Sequence, residues 1–129
     1  MNHNTVISLP VHTSTALVAG DVVALNTTTG GVVKGASGVA SGACFGVVLH
    51  DVDSDDSGTP AAIQLFQGGG IFNINVLTGA GIAAIGHPHN LGAGGLAAAK
   101  GTPTALTHNF LPLEATSAGG IIQALYIGL

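Results

Sequence analysis

The stretch Ala61-Ala62-Ile63-Gln64-Leu65-Phe66-Gln67-Gly68-Gly69-Gly70-Ile71-Phe72-Asn73-Ile74-Asn75-Val76 decides the fold class. In its second half Phe72, Ile74 and Val76 alternate with Asn73 and Asn75, the two-residue period of a strand with one apolar face. Its first half is an apolar run of similar length. Three glycines separate the two, so the pair predicts a β-hairpin. The same pattern extends outward. Thr5-Val6-Ile7-Ser8-Leu9 reads as a strand ended by Pro10, and Gly20-Asp21 turns into Val22-Val23-Ala24-Leu25. A polar turn, Asn26 to Gly31, precedes a return strand, Val32 to Lys34. Ala43 to His50 is continuously apolar, as in a strand buried on both faces. Gly120 to Leu129 places Ile121, Gln123, Leu125, Ile127 and Leu129 on one face. Leu96 to Lys100 contains good helix formers but lies between Gly95 and Gly101, so a strand or a single turn fits equally. A faint echo relates residues 20–35 to residues 81–101 as two similar hairpins. Many short strands with regular turns predict a mainly β, single-domain barrel or sandwich with little helix.

Composition narrows the function. Among 129 residues only Lys34 and Lys100 are strong bases; Arg and Trp are absent, Gly numbers 21, and 47% of residues are hydrophobic. The net charge is −4 with His neutral, and two lysines make no phosphate-binding stripe, which argues against nucleic acid as a direct partner. No apolar run approaches the roughly 18 residues that span a bilayer, so no membrane partner is expected. Met1 to Thr5 has neither a basic start nor a long apolar stretch, so no secretory signal is predicted. With so few aromatics the core is expected to be thin, and oligomerisation or docking would add burial. Almost no charge guards the strand edges, which suits a chain whose edges partner chains occupy.

Few residues point to chemistry. Asp51-Val52-Asp53-Ser54-Asp55-Asp56-Ser57-Gly58 invites a calcium reading, but counted from Asp51 the sixth position is Asp56 and the twelfth Ala62, where an EF-hand needs Gly and Glu. A solvated turn is the expectation. His87-Pro88-His89 offers two imidazoles without a local third ligand and reads as a surface loop. Cys44 lies in an apolar run and reads as a small buried hydrophobe rather than a nucleophile. There is no nucleophile elbow, phosphate loop or dinucleotide fingerprint, and Glu114 is the only Glu. No enzyme, no cofactor and no metal site are expected.

The order of elements resembles a known family. Gly20 to Leu25, a polar turn, Gly31 to Lys34, then Gly42 to Leu49 look like the start of the lambda-type head decoration proteins of tailed phages. A charged loop follows, then the segments Ala61 to Phe66 and Gly70 to Val76, the second carrying an aromatic. Leu113-Glu114-Ala115-Thr116-Ser117-Ala118-Gly119-Gly120 and the apolar run to Leu129 resemble the ending of related capsid cement proteins. The resemblance runs from about Ala16 to Leu129, and the chain departs from it after Leu77 with a longer region. It implies a structural virion protein, made in the host cytoplasm, that binds the outer capsid surface. There it would cement neighbouring major capsid protein subunits and stabilise the expanded head against DNA pressure. It further implies homo-oligomers, trimers above all, and an N-terminal arm over residues 1–18 preceding a decoration domain over 19–129.

Within that arm Thr5, Val6, Ile7, Ser8 and Leu9 have the aliphatic and β-branched character that strand addition to a capsid protein uses. The same residues read equally as the first strand of the domain's own sheet. The alternative function is a small β-rich ligand- or glycan-binding domain, which would need an exposed aromatic platform.

Overall fold

The structure, a computed structural model, describes residues 5–11, 16–25, 31–35, 44–53, 60–76, 85–86, 88–91, 96–100, 109–115 and 120–128. The strands among them are β1 Val6–Pro10, β2 Val22–Leu25, β3 Val32–Lys34, β4 Cys44–Val48, β5 Pro60–Leu65, β6 Ile71–Val76, β7 His89–Leu91, β8 Leu96–Lys100, β9 Asn109–Pro112 and β10 Gly120–Gly128. A 3-10 turn, Phe66–Gly68, is the one helical element among the described residues. The chain is mainly β, as its short apolar runs predict.

Two sheets form. The first has the order β1-β5-β4-β2-β3, antiparallel throughout. In the second, β8, β7, β9, β10 and β6 pair antiparallel in turn, and β6 returns to β8 through one parallel pair, Val76 with Leu96. The ring thus closes at a single point, and the domain is built as two sheets packed face to face.

The hairpin expected across Gly68 to Gly70 does not form. β5 pairs with β1 and β4, whereas β6 pairs with β10. Both sides of β5 are already taken, so no edge remains for β6. The link instead carries the chain from one sheet to the other. Phe66 is buried between the sheets, and Gly69 and Gly70 adopt φ of +68° and +92°, which redirects the backbone. The expected β2–β3 hairpin is present. Residues 81–84 and 94–95, on which its proposed echo falls, lie outside those described; nearby, β8 pairs with β7. Leu96–Lys100 is a strand. His89 is a buried strand residue, not part of a surface loop, because β7 is enclosed between β8 and β9; His87 lies outside the described residues.

The main core lies between the sheets. Val22 and Ala24 of β2 and Cys44 and Val47 of β4 meet Phe72, Ile74 and Val76 of β6, Phe110 of β9, and Ile122 and Ala124 of β10. Cys44 and Val47 are three apart, yet share a face. Pairing of Val23 with Gly46 and of Ala24 with Cys44 leaves Phe45 without an opposite residue, a β-bulge that resets the alternation. Phe66, Phe72, Phe110 and Tyr126 form one aromatic cluster: Phe66 lies edge-on to Phe72 at 5.4 Å and stacks on Tyr126 at 5.7 Å. Such pairs contribute about 0.5–1.5 kcal/mol each beyond their burial. A second core covers the other face of the first sheet, where Val23, Val48, Ala61 and Ile63 meet Val11, Leu17 and Val52. β4 is therefore buried on both faces, as its unbroken apolar run predicts.

One turn joins the sheets. The Gly20 N–H donates to Val48 O at 2.9 Å in the first sheet, and Gly20 O accepts from Asn75 N at 2.8 Å in the second. Gly20 has φ +97°, and a Cβ there would lie 3.1 Å from Ile121 Cγ1. The neighbouring Asp21 is buried; its Oδ2 accepts from Val18 N at 2.9 Å and lies 3.6 Å from Lys34 Nζ, and its Oδ1 accepts from Asn75 Nδ2 at 3.3 Å. Asp21→Ala removes the acceptor for two donors and the ion partner of Lys34. The expected loss is about 2–3 kcal/mol in urea denaturation. A loss below about 0.5 kcal/mol would refute the clamp's weight in stability.

Candidate functional site

The predicted arm residues sit in the first sheet. Val6–Pro10 pairs antiparallel with β5, Ile7 opposite Ile63 and Leu9 opposite Ala61. Ile7 and Leu9 pack against the second core, while Thr5, Val6, Ser8 and Pro10 are exposed. Of the two readings of Thr5 to Leu9, the structure displays the first strand of the domain's own sheet. Val11, which follows it, and Leu17 are also buried in the second core, so much of the segment expected as an arm contributes to the domain.

β1 is outermost in the first sheet, but Val11, just past it, makes a parallel bridge to Val32 of β3 at the sheet's other end, so the outer side left to describe is that of Val6 and Ser8. Leu65 N donates to Thr5 O at 2.8 Å, which sets Thr5, Ile7 and Leu9 as the residues whose backbone groups face β5. The backbone groups of Val6 and Ser8 then point away from the sheet. Pro10 falls in the same outward row, so its missing N–H costs no bond to β5. The start of the strand is seated closely: a Cβ at Gly68 would lie 2.9 Å from Thr5 N. Among the described residues, the outer edge at Val6 and Ser8 combines two donors, their carbonyls and small exposed side chains.

Other candidates are taken up by the fold. His50 Nε2 accepts from Ala62 N at 3.1 Å, and its Nδ1 lies 3.2 Å from Asp51 O, so the ring extends the β4–β5 ladder. Asp51 and Asp53 flank an open groove of about 460 Å³ with Ala16, Leu17 and Val18, and Asp51 Oδ1 accepts from Ala19 N at 2.9 Å. Residues 54–59, the rest of the acidic loop, lie outside those described. Among the described residues no group of three or more His, Cys, Asp or Glu converges. The aromatics that a glycan platform would need are withdrawn from solvent: Phe66, Phe72 and Phe110 are buried, and Tyr126 and Phe45 pack partly buried against the cores.

A second surface escaped the sequence reading. β10 turns Ile122 and Ala124 inward and leaves Ile121, Gln123, Leu125 and Ile127 outside. The alternation was legible, but which set faces inward was not. The signal lay in Tyr126, which shares the parity of the buried set and joins the aromatic cluster.

No family model matches the chain, and no curated protein matches it. Among solved structures it is similar to the head fiber gp8.5 N base of bacteriophage phi29, with a TM-score of 0.64 and 14% identity, over 95% of this chain and 94% of that one. At that identity the likeness establishes a shared fold.

Cys44 provides a test of the inert reading. Burial pushes its thiol pKa up, and burial likewise raises that of the Tyr126 phenol. The unfolded chain therefore releases these protons at a lower pH than the folded one. Stability is expected to fall as pH rises above about 8.5, further above about 10. Cys44 should resist iodoacetamide at pH 8 until denaturant is added. Rapid alkylation of the native protein would overturn the buried, unreactive assignment.

Proposed function

We propose that this chain is a non-enzymatic structural protein of a phage head, docking on the outer capsid surface through the open edge of β1. The observation that carries this reading is the shared fold with a head fiber base over nearly the whole of both chains. The β1 edge supports the mode of attachment. A capsid segment in extended conformation would add beside Val6–Pro10, the backbone of Val6 and Ser8 supplying affinity and their exposed side chains the register. In this reading the chain cements neighbouring major capsid protein subunits. The bond is mechanical: added buried area and strand pairing oppose the outward pressure of packaged DNA.

The same likeness favours a second reading, in which the chain is the base on which a longer head appendage stands. Both readings require head binding. They part on heat: a cement protein keeps DNA inside decorated heads at temperatures that empty undecorated ones, and a fibre base leaves that temperature unchanged.

The test is co-sedimentation with purified expanded heads of the cognate phage. Ser8→Pro removes an outward N–H without touching the bonds to β5, so the variant should melt near the unsubstituted protein yet bind roughly tenfold or more weakly. Ile7→Pro, which removes an inward bond, should instead lower stability by about 1 kcal/mol or more. Unchanged binding by a folded Ser8→Pro protein would remove β1 from the interface. No binding by the unsubstituted chain would sink the head-protein reading.

A further inference from the structure

We propose that Lys34, Asp21 and Asn75 form a self-modifying site, at which the Lys34 amine and the Asn75 carboxamide join in an amide bond that links the two sheets covalently. This bond does not depend on head binding. The site rests on how one carboxylate is shared. Asp21 Oδ2 lies 3.6 Å from Lys34 Nζ, and Asp21 Oδ1 accepts from Asn75 Nδ2 at 3.3 Å. A primary amine and a primary carboxamide are therefore gathered on one carboxylate. Those three groups are what such a bond needs: a nucleophile, a carbonyl carbon carrying a nitrogen leaving group, and a group that moves protons between them.

The backbone holds all three residues in place. Lys34 lies opposite Val23 in the β2–β3 pair, and the next residue, Gly35, donates to Val22 O at 2.9 Å. Asn75 N donates to Gly20 O at 2.8 Å, and Asp21 N donates to Val18 O at 2.9 Å. Anchoring of this kind turns an encounter between two groups into a step within one molecule. The last adjustment falls to Lys34, whose flexible stem can carry its amine from the carboxylate to Asn75 Cγ. At 3.6 Å from Asp21 the ammonium is close without being locked in a short hydrogen bond. The surroundings suit the chemistry. The Asp21 side chain is 2% exposed, which limits competition from water, while the Lys34 side chain is 37% exposed, which leaves the departing group a way out.

The atoms balance without a cofactor or an oxidant. Asp21 takes a proton from the Lys34 ammonium. The lone pair freed on Nζ attacks Asn75 Cγ, and the π electrons of the carbonyl move onto Oδ1. Asp21 returns its proton to Nδ2, the bond from Cγ to Nδ2 breaks, and the carbonyl reforms as ammonia leaves. The ammonia takes the surplus proton from Nζ and departs as an ammonium ion. One ammonium side chain and one carboxamide thus give one secondary amide and one ammonium ion, with Asp21 unchanged. The step occurs once per chain and leaves no site for turnover. It follows folding, because Lys34 belongs to β3 of the first sheet and Asn75 to β6 of the second. Once formed, the amide closes the chain between these positions and constrains its unfolded state, as a disulfide would.

Intact-mass spectrometry tests this. The full chain, kept folded at neutral pH for several days, should become lighter by one molecule of ammonia. Its digest should contain a branched species joining the peptide of Lys34 to that of Asn75. Lys34→Arg keeps a cation beside Asp21 but lacks the amine, so it should fold and hold its full mass. Should Lys34→Arg fail to fold, the unsubstituted chain held in denaturant serves as the control and should likewise hold its full mass. A folded, unsubstituted chain that keeps its full mass overturns the proposal. Loss of water in place of ammonia also overturns it and assigns the bond to Lys34 and Asp21. Ammonia loss that persists in Lys34→Arg, or that comes without the branched peptide, marks a succinimide at an asparagine and overturns it as well.

Discussion

The Gly20–Asp21 turn is the constraint on which the arrangement of the two sheets depends. Apolar burial between sheets is non-directional and tolerates sliding. The aromatic cluster supplies area and edge-to-face contacts but does not by itself choose a register. The turn does, because Gly20 bonds to β4 through its N–H and to β6 through its carbonyl. Asp21 repeats the choice with its side chain, holding Val18 N, Asn75 Nδ2 and Lys34 at one buried carboxylate. A buried carboxylate is costly unless each lone pair is used. Any slip between the sheets would strand it, so the cost of misplacement enforces the register.

That register also fixes the two outer surfaces. Anchoring Asn75 to Gly20 holds β6, and β6 holds β10 in the frame that turns Ile122 and Ala124 inward. In the first sheet, β5 lies between β1 and β4, so β1 becomes an edge with Val6 and Ser8 facing out. One surface offers backbone groups and the other side chains. They belong to different sheets: one exposes hydrogen-bonding groups at a strand edge, the other aliphatic side chains on a sheet face.

The sequence carried the strands well and their partners poorly. Val22–Leu25, Val32–Lys34, Cys44–Val48 and Ile71–Val76 were legible because Gly or polar residues bound each apolar run. Burial of β4 on both faces followed from its unbroken apolar run. Pairing failed at residues 61–76, since Gly68 to Gly70 announces a turn without stating whether the next strand returns to the same sheet. Only the occupancy of both sides of β5 settles that, and occupancy is a long-range fact. The inward face of β10 was hidden for a similar reason. Isoleucine appears at both parities and leucine only at the outward one, so hydropathy does not mark the inward face and the aromatic neighbours decide. The β1 residues were picked out correctly as a strand, but whose sheet they join depends on β5, far along the chain.

Among the described residues, the polar side chains are spent on holding the fold. In a catalytic site, a base or nucleophile must be held yet left available to the substrate. Here Gln64 Nε2 donates to Ile71 O, Asp21 ties the sheets, His50 completes a ladder, and Asp51 holds Ala19 N. Each is spent on the backbone or on a neighbouring amide. Cys44 is buried with its pKa raised, away from the thiolate form that nucleophilic chemistry requires. Among the described residues, with those groups committed inward, a strand edge and an apolar face remain exposed.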